Sequence, residues 1–437
     1  MAAGSNRLVP TTPCTPQPPL PPPLGPTDAG PWDLCVAGGG PAGLMTGYLF
    51  ARAGLRVVVL EKHADFLRDF RGDTVHPSTL RILDELGLLD EFLQRPHQKL
   101  RRIGGQFGAE RVALGDFSRL GERYGFIAFM PQWEFLNFLL EKGRALPGLR
   151  VCMRSEVVGL LKDASRITGV RVKTPEATLE LKARLLIGAD GRHSLVRSEA
   201  GLKVIDLGAP IDVLWFRIGR DPASFDEDFT HLDKGRIIIT IDRGDYWQCA
   251  YVIPKGGADA EKAKGIEAFR EEVCQVVPTL RPHMGDIRSW DNVKLLTVAV
   301  DRLLRWSRPG LLCIGDAAHA MSPVGGVGIN LAIQDAVATA NLLSGPLKAG
   351  DLTDADLDRV RQRRLLPTRL VQGLQILMHE QILAPVLSRK NEAMRPPLIM
   401  RLLTNSGWLR GLTARFLGFG VRAEHVRSAE KPLTASA

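Results

Sequence analysis

The sequence predicts an α/β protein: a Rossmann-type nucleotide-binding domain interleaved with a β-sheet substrate domain, followed by C-terminal helices. Three observations predict it. A strand, glycine turn, helix and strand succeed one another over residues 33–61; two later apolar strands end in Asp-Gly and Gly-Asp; and strands of alternating polarity lie between those two. The chain has 437 residues, 45% of them hydrophobic and 24% charged, enough apolar material for roughly two to three domains. The expected boundaries are a proline-rich leader at 1–31, a nucleotide domain at 32–105, 131–200 and 290–350, a substrate domain at 106–130 and 201–289, and a basic helical region at 351–437.

Ten prolines fall within residues 1–31, including Pro21-Pro22-Pro23, so the leader is expected to be extended or disordered and to pack against nothing. Order is expected from Trp32. The strand Asp33-Leu34-Cys35-Val36-Ala37 stops at Gly38, and glycines at 38, 40 and 43 have the spacing G-x-G-x-x-G. Gly38 permits the tight turn, Gly40 lets backbone approach a pyrophosphate, and Gly43 lets the next helix pack close to the sheet. Free N–H groups at that helix start face the phosphates. The second strand, Arg56 to Leu60, ends at Glu61, eighteen residues past Gly43, where a carboxylate can accept ribose hydroxyls. A lone glycine motif is weak, but here strands, helix and acid agree. The unit does not by itself choose between NAD and FAD.

Leu185–Gly188 leads into Asp190-Gly191, then Ser194 and Arg197. Leu311–Gly315 leads into Asp316, then Pro323, Gly325, Gly326, Gly328, Ile329 and Asn330 at the start of a helix expected over 329–343. Either acidic turn alone could be plain turn or cap chemistry. Together, in this order after the first motif, they resemble the p-hydroxybenzoate hydroxylase-like (group A) flavoprotein monooxygenases over Trp32 to about residue 345. The resemblance implies FAD as cofactor and NADPH or NADH as cosubstrate. It implies that Asp316 contacts the ribitol, that Gly328, Ile329 and Asn330 lie beside the flavin ring, and that Pro323 with Gly325 and Gly326 lines its reactive face. It also implies that Asp190, Gly191 and Arg197 serve FAD and the nicotinamide, and that Arg71 and Gln132 are further FAD contacts. The implied reaction is hydroxylation of a phenol-like or quinone-precursor ring through a flavin hydroperoxide, with O2 consumed. A second nucleotide motif is absent, which departs from two-dinucleotide reductases and agrees with this family. An FAD dehydrogenase or reductase without oxygen insertion stays open as the alternative; a halogenase does so less, since its W-x-W-x-I-P motif is missing.

Between 201 and 291 the chain reads as strands 213–218, 236–242 and 246–253 and a helix at 266–277, with 104–130 a candidate to pair with that sheet. Trp215, Phe216, Tyr246 and Trp247 are candidates for a pocket wall, against ordinary strand packing. His76 and His319 are read as structural, because neither sits with a nucleophile or a metal set. Six separated cysteines, with no Cys-x-x-Cys, argue for reduced buried thiols and against zinc.

The net charge of +9 resides in the tail, where residues 361–437 carry thirteen Lys or Arg and four Glu. No basic run with interleaved aromatics accompanies it, which argues against nucleic acid. The amphipathic stretches 398–403 and 408–417 instead suit the protein's own body, a second copy of the chain in a homodimer, or an anionic membrane surface. No run of eighteen apolar residues and no signal-peptide pattern occur, so the expected location is cytoplasmic, with peripheral membrane contact left open.

Overall fold

A computed structural model describes residues 20–25, 28, 30–67, 74–221, 230–388 and 395–428. Arg71 and most of the leader lie outside the described residues. What is described of the leader departs from expectation: Leu24 is buried, and its N–H donates to Ser155 Oγ at 2.9 Å. Asp28 pairs with Arg150 at 3.3 Å. A leucine at the end of the proline run thus closes the edge of the core instead of staying in solvent.

The first strand, Trp32–Ala37, runs parallel between Val57–Leu60 and Thr178–Gly188. Leu149–Cys152 extends this central sheet on one side and Leu311–Cys313 on the other, again in parallel. Val57–Leu60 is buried at all four positions, as a strand covered on both faces should be. The helix Pro41–Arg52 covers one face so closely that a Cβ at Gly47 would meet Val59 at 2.6 Å. Gly328–Ala349 lies beside that helix, ending at Gly350 in the left-handed conformation (φ +87°).

A second sheet, seven-stranded among the described residues, has the order Lys294–Leu296, Ile211–Gly219, Tyr246–Pro254, Arg236–Asp242, Thr230–Asp233, Arg102–Phe107 and Glu110–Asp116. The hairpin of Arg102–Phe107 and Glu110–Asp116 joins it through a parallel pairing of His231 and Leu232 with Gln106 and Phe107. The sheet therefore begins at Arg102 and takes in residues 294–296, past both expected limits of the substrate domain. One face packs on the helix Ile266–Val276; the other roofs the cavity described below.

The C-terminal region is helical. Asp354–Met378 starts at a capping box formed by Thr353 and Asp356, and continues through a π-turn, His379–Leu383, into Ala384–Ser388. Two shorter helices, Leu398–Asn405 and Gly407–Phe419, pack on the strand Glu110–Asp116.

Candidate active site

The register of the central sheet brings the separated motifs to one height. Ala37 lies opposite Leu60 and Gly188, and Gly188 opposite Cys313. The residues just past these four strand ends are Gly38, Glu61, Asp190 and Asp316, and all four line one cavity of about 1160 Å³. Parallel α/β sheets bind ligands at the carboxyl ends of their strands, where connections depart in opposite directions. Around the same cavity lie Gly40, Gln132, Gly191, Pro323, Gly325, Gly326, Gly328 and Ile329.

Each glycine solves a particular steric problem. Gly38 has φ +105°, and a Cβ would come within 2.3 Å of the Ala189 carbonyl. At Gly43 a Cβ would lie 1.9 Å from the Gly38 carbonyl, so this residue supports the turn from behind and does not line the cavity. At Gly40 a Cβ would meet nothing within 4 Å and would occupy the cavity itself. The helix that follows has no side-chain cap at Gly40, and the helix from Gly328 has none at Val327. Two uncapped helix starts at one cavity present N–H donors and positive dipole ends to an anionic ligand.

The acidic residues divide into one available group and two committed ones. Glu61 is tied to the loop it serves, accepting from the N–H of Gly39 at 2.9 Å and of His63 at 3.0 Å. Asp190 accepts from Ser194 Oγ and from the Val196 N–H at 3.1 Å, so it builds the turn at Gly191 (φ +85°). Burial raises its pKa above the ordinary carboxylate value, and these donors oppose the rise. Asp316 is partly exposed to the cavity, 4.0 Å from Arg192. Arg197 is a correction: its guanidinium is held by Asp301 at 3.3 Å and by the Arg192 carbonyl, away from the cavity. Arg192, two residues after Asp190, takes the place at the cavity wall that the sequence reading assigned to Arg197.

Asn330 does not line the cavity either. Its Oδ1 accepts from the His76 N–H and from Thr79 Oγ1, both at 2.8 Å, and its Nδ2 donates to the Thr74 and Gly326 carbonyls. It is the strut that fixes the positive-φ pair Gly325 (+80°) and Gly326 (+62°). His76 Nδ1 faces the Leu417 carbonyl at 2.9 Å. A carbonyl only accepts, so Nδ1 carries the proton and the ring locks the last helix to this node.

His319 is structural, as read. Its Nε2 meets Asp335 at 2.6 Å; Asp335 also accepts from the Gly315 N–H at 3.1 Å and from Arg364 at 2.9 Å, and Arg364 reaches Glu424 at 3.3 Å. This buried chain of charges fixes the Gly315-Asp316 turn to the C-terminal tail.

Strand alternation decides the roof. Val213, Trp215, Ile237, Ile239, Ile241, Ala250 and Val252 face the cavity. Their neighbours Leu214, Phe216, Ile238, Cys249 and Tyr251 face the helix 266–276, where Phe216 meets Phe269 edge-on at 5.4 Å. Of the four candidate aromatics, only Trp215 lines the cavity; Trp247 is core and Tyr246 lies under Arg217. Met400, Leu403, Leu412 and Phe416 of the last two helices close the far wall, a contribution the sequence reading missed.

No group of three or more His, Cys, Asp or Glu among the described residues could hold a metal. The open cradle at Gly40, the two uncapped helix starts and the acids at three of the four strand ends fit a dinucleotide. They define a class, an α/β dinucleotide-binding protein with a second sheet roofing the crevice. A family model described as an FAD binding domain matches residues 32–372. The 6-methylpretetramide 4-monooxygenase of Streptomyces rimosus is 32% identical over 409 residues, 93% of this chain and 96% of its own. Para-nitrophenol 4-monooxygenase of Pseudomonas sp. (strain WBC-3) is 26% identical over 73% of this chain and 79% of its own. The solved anhydrotetracycline hydroxylase OxyS of Streptomyces rimosus shares the fold, with a TM-score of 0.71 at 24% identity over 92% of this chain and 79% of that one. This chain belongs to the p-hydroxybenzoate hydroxylase-like, group A flavoprotein family and is an FAD-dependent monooxygenase.

Proposed function

We infer that the enzyme hydroxylates a phenol-like aromatic ring, consuming NADPH or NADH and O2. The observation that carries this reading is the single cavity. Its floor is the nucleotide-binding strand ends, its roof is apolar sheet, and its about 1160 Å³ exceeds the roughly 300–1,000 Å³ typical of a pocket for one small ligand. That supports room for FAD and a flat apolar ring together.

The chemistry supplied by the bound flavin is two-electron reduction by the nicotinamide and activation of O2, one atom of which enters the ring while the other leaves as water. The chain's own residues position and insulate. Gly38–Gly43 and the helix start at Pro41 would hold the pyrophosphate, with Glu61 near the ribose, Asp316 on the ribitol and Gln132 as a further contact. The N–H groups at Gly328 and Ile329 would favour negative charge on the reduced ring. Pro323, Gly325 and Gly326 would line its reactive face, and the roof would exclude water. Arg192, beside Asp316, is the basic side chain offered for the transient nicotinamide.

The test is the visible spectrum of the purified protein, then NADPH and NADH oxidation with a panel of phenols headed by 6-methylpretetramide and para-nitrophenol. Yellow protein, ligand-stimulated oxidation and product labelled from isotopic O2 are expected. Oxidation without label in the product favours the dehydrogenase or reductase alternative. Asp316→Ala should weaken FAD retention and lower turnover at least tenfold; full retention with full activity would contradict its assignment.

A further inference from the structure

Proline carries no N–H, so the residue after Pro21-Pro22-Pro23 is the first backbone donor that this run can offer. Leu24 uses it. Its N–H donates to Ser155 Oγ at 2.9 Å, and its side chain, 4% exposed, joins the core around the central sheet. A clasp follows at once. The Asp28 N–H donates to the Gly25 carbonyl at 3.0 Å, and Asp28 Oδ2 accepts from the Gly25 N–H at 2.8 Å. The other carboxylate oxygen pairs with Arg150 of the strand Leu149–Cys152 at 3.3 Å, and the Asp28 carbonyl accepts from Trp32 Nε1 at 2.8 Å. The leader is thus pinned at Leu24 and again at Asp28. The family match begins at residue 32, so both pins lie outside it.

What the leader grips is a wall of the cavity. Ser155 lies in the loop between the strands Leu149–Cys152 and Glu156–Asp163, and with Glu156 and Val157 it lines the cavity that Glu61, Lys62 and His63 also line. Two hydrogen bonds join that loop to the residues past the second strand. The Ser155 N–H donates to the Glu61 carbonyl at 2.8 Å, and the Arg154 N–H to the His63 carbonyl at 2.9 Å. Glu61 in turn accepts from the Gly39 N–H at 2.9 Å. A line of hydrogen bonds therefore runs from Leu24 through Ser155 and Glu61 to the glycine turn. The Ser155 hydroxyl donates to the Met153 carbonyl at 2.9 Å while it accepts from Leu24, so it serves this line and not a ligand. Arg154 has φ +50°, a left-handed conformation that residues other than glycine adopt at a cost. A loop bent in this way keeps its shape where its neighbours over-determine it, and Leu24 is one of them.

We propose that residues 20–25 and Asp28 form a strap that positions the adenosine half of FAD. The inference rests on the placement of the FAD ribose at Glu61. Leu24, Asp28 and Ser155 are positioning residues: the strap holds the loop 153–155, the loop holds Glu61, and Glu61 meets the ribose. The flavin half is served by other elements, since Asp316 follows the strand Leu311–Cys313 and Gly328 opens the helix Gly328–Ala349. The strap therefore acts on affinity for the dinucleotide and not on the reacting ring.

The experiment separates the two halves of the cofactor. Full-length protein freed of flavin is titrated by flavin fluorescence with FAD and, separately, with FMN, which lacks the adenosine half. Leu24→Pro removes the N–H that reaches Ser155 by extending the proline run. Ser155→Ala removes the acceptor, and Asp28→Ala opens the clasp. Each should raise the FAD dissociation constant about five- to tenfold, the worth of roughly one buried hydrogen bond, and leave the FMN constant within about twofold. Asp28→Ala leaves the core intact, so it carries the prediction should Leu24→Pro fail to fold. Its urea midpoint without flavin should match that of the unaltered protein. An unchanged FAD constant overturns the strap. So does an equal loss for FAD and FMN, or a lowered midpoint that accounts for the lost affinity, since either assigns the leader to general stability. If the unaltered protein binds FMN as tightly as FAD, the ribose does not sit at Glu61, and the placement falls with the strap.

Discussion

Gly40 and Gly43 are three residues apart in one motif and fail differently when a methyl group is added. Gly43→Ala drives a Cβ to within 1.9 Å of the Gly38 carbonyl, so the fold should lose about 1–3 kcal/mol, read as a lower urea midpoint without FAD. Gly40→Ala places its methyl in open cavity. The cofactor-free protein should keep its midpoint, while FAD affinity falls at least tenfold by flavin fluorescence. Equal behaviour of the two variants would refute this division. His76 offers a second test. Burial lowers its pKa to about 4, against an ordinary 6.5 in the unfolded chain. Unfolding therefore takes up a proton between those values, and stability is full above 6.5 and lost as pH falls towards 4, by about 3 kcal/mol in all. Replacing His76 with Gln should flatten that part of the urea midpoint against pH. Sequence reading found the glycines because their roles are fixed by turn geometry. It missed Arg192 because only the path of the backbone tells it from Arg197, which has the same charge five residues on.

Between elements, the telling contact is the buried chain His319–Asp335–Arg364–Glu424, joining the turn at Gly315, the helix 328–349, the helix 354–378 and the tail. Burial alone would raise the Asp335 pKa; the His319 and Arg364 charges and hydrogen bonds outweigh it and hold the carboxyl below its usual value. Its contribution is present above the unfolded carboxylate pKa of about 4 and is lost as pH falls through the lower folded value. Asp335→Asn leaves Arg364 with Glu424 alone and should cost about 3–5 kcal/mol, with FAD retention falling because the Gly315 turn loses its anchor. Unchanged urea stability would show that the network is solvated. The helix around Asp335 is evident in the sequence from its apolar period. Its partner Arg364 is not, since an arginine on a basic helix reads as solvent-facing until the tail folds back with Glu424.

For the whole molecule, the last two helices both close the cavity and present Leu398 (77% exposed), Ile399 (60%), Leu402 (59%) and Trp408 (69%) to solvent. Residues 395–423 hold five arginines and no acid. An apolar rim with cationic neighbours suits an anionic bilayer surface, from which a poorly soluble ring could enter. Among the described residues no helix is long and apolar enough to cross a membrane. The expected result is co-sedimentation with phosphatidylserine vesicles at low salt, weakened by Trp408→Ser with Leu398→Ser and reduced in 0.5 M salt, where screening shortens to a few ångström. Failure to bind at low salt removes the membrane reading, and a concentration-dependent dimer in its place would assign the rim to a second copy.

By itself the sequence determined the nucleotide half. Its motifs are local: a strand, a turn requiring glycine and an uncapped helix start are written within about ten residues of one another, and the physics of each closes over that span. Sheet register then set the four strand ends level, as parallel pairing requires. Only the tertiary structure decided the substrate half. Which of Trp215 and Phe216 faces the cavity depends on strand phase, and the last two helices reach the wall by returning across the hairpin at 102–116. The meeting of Ser322 with His379, 57 residues apart, depends on a π-turn that no local pattern announces. Long-range packing chose these side chains, and long-range packing leaves no periodic trace in a single sequence.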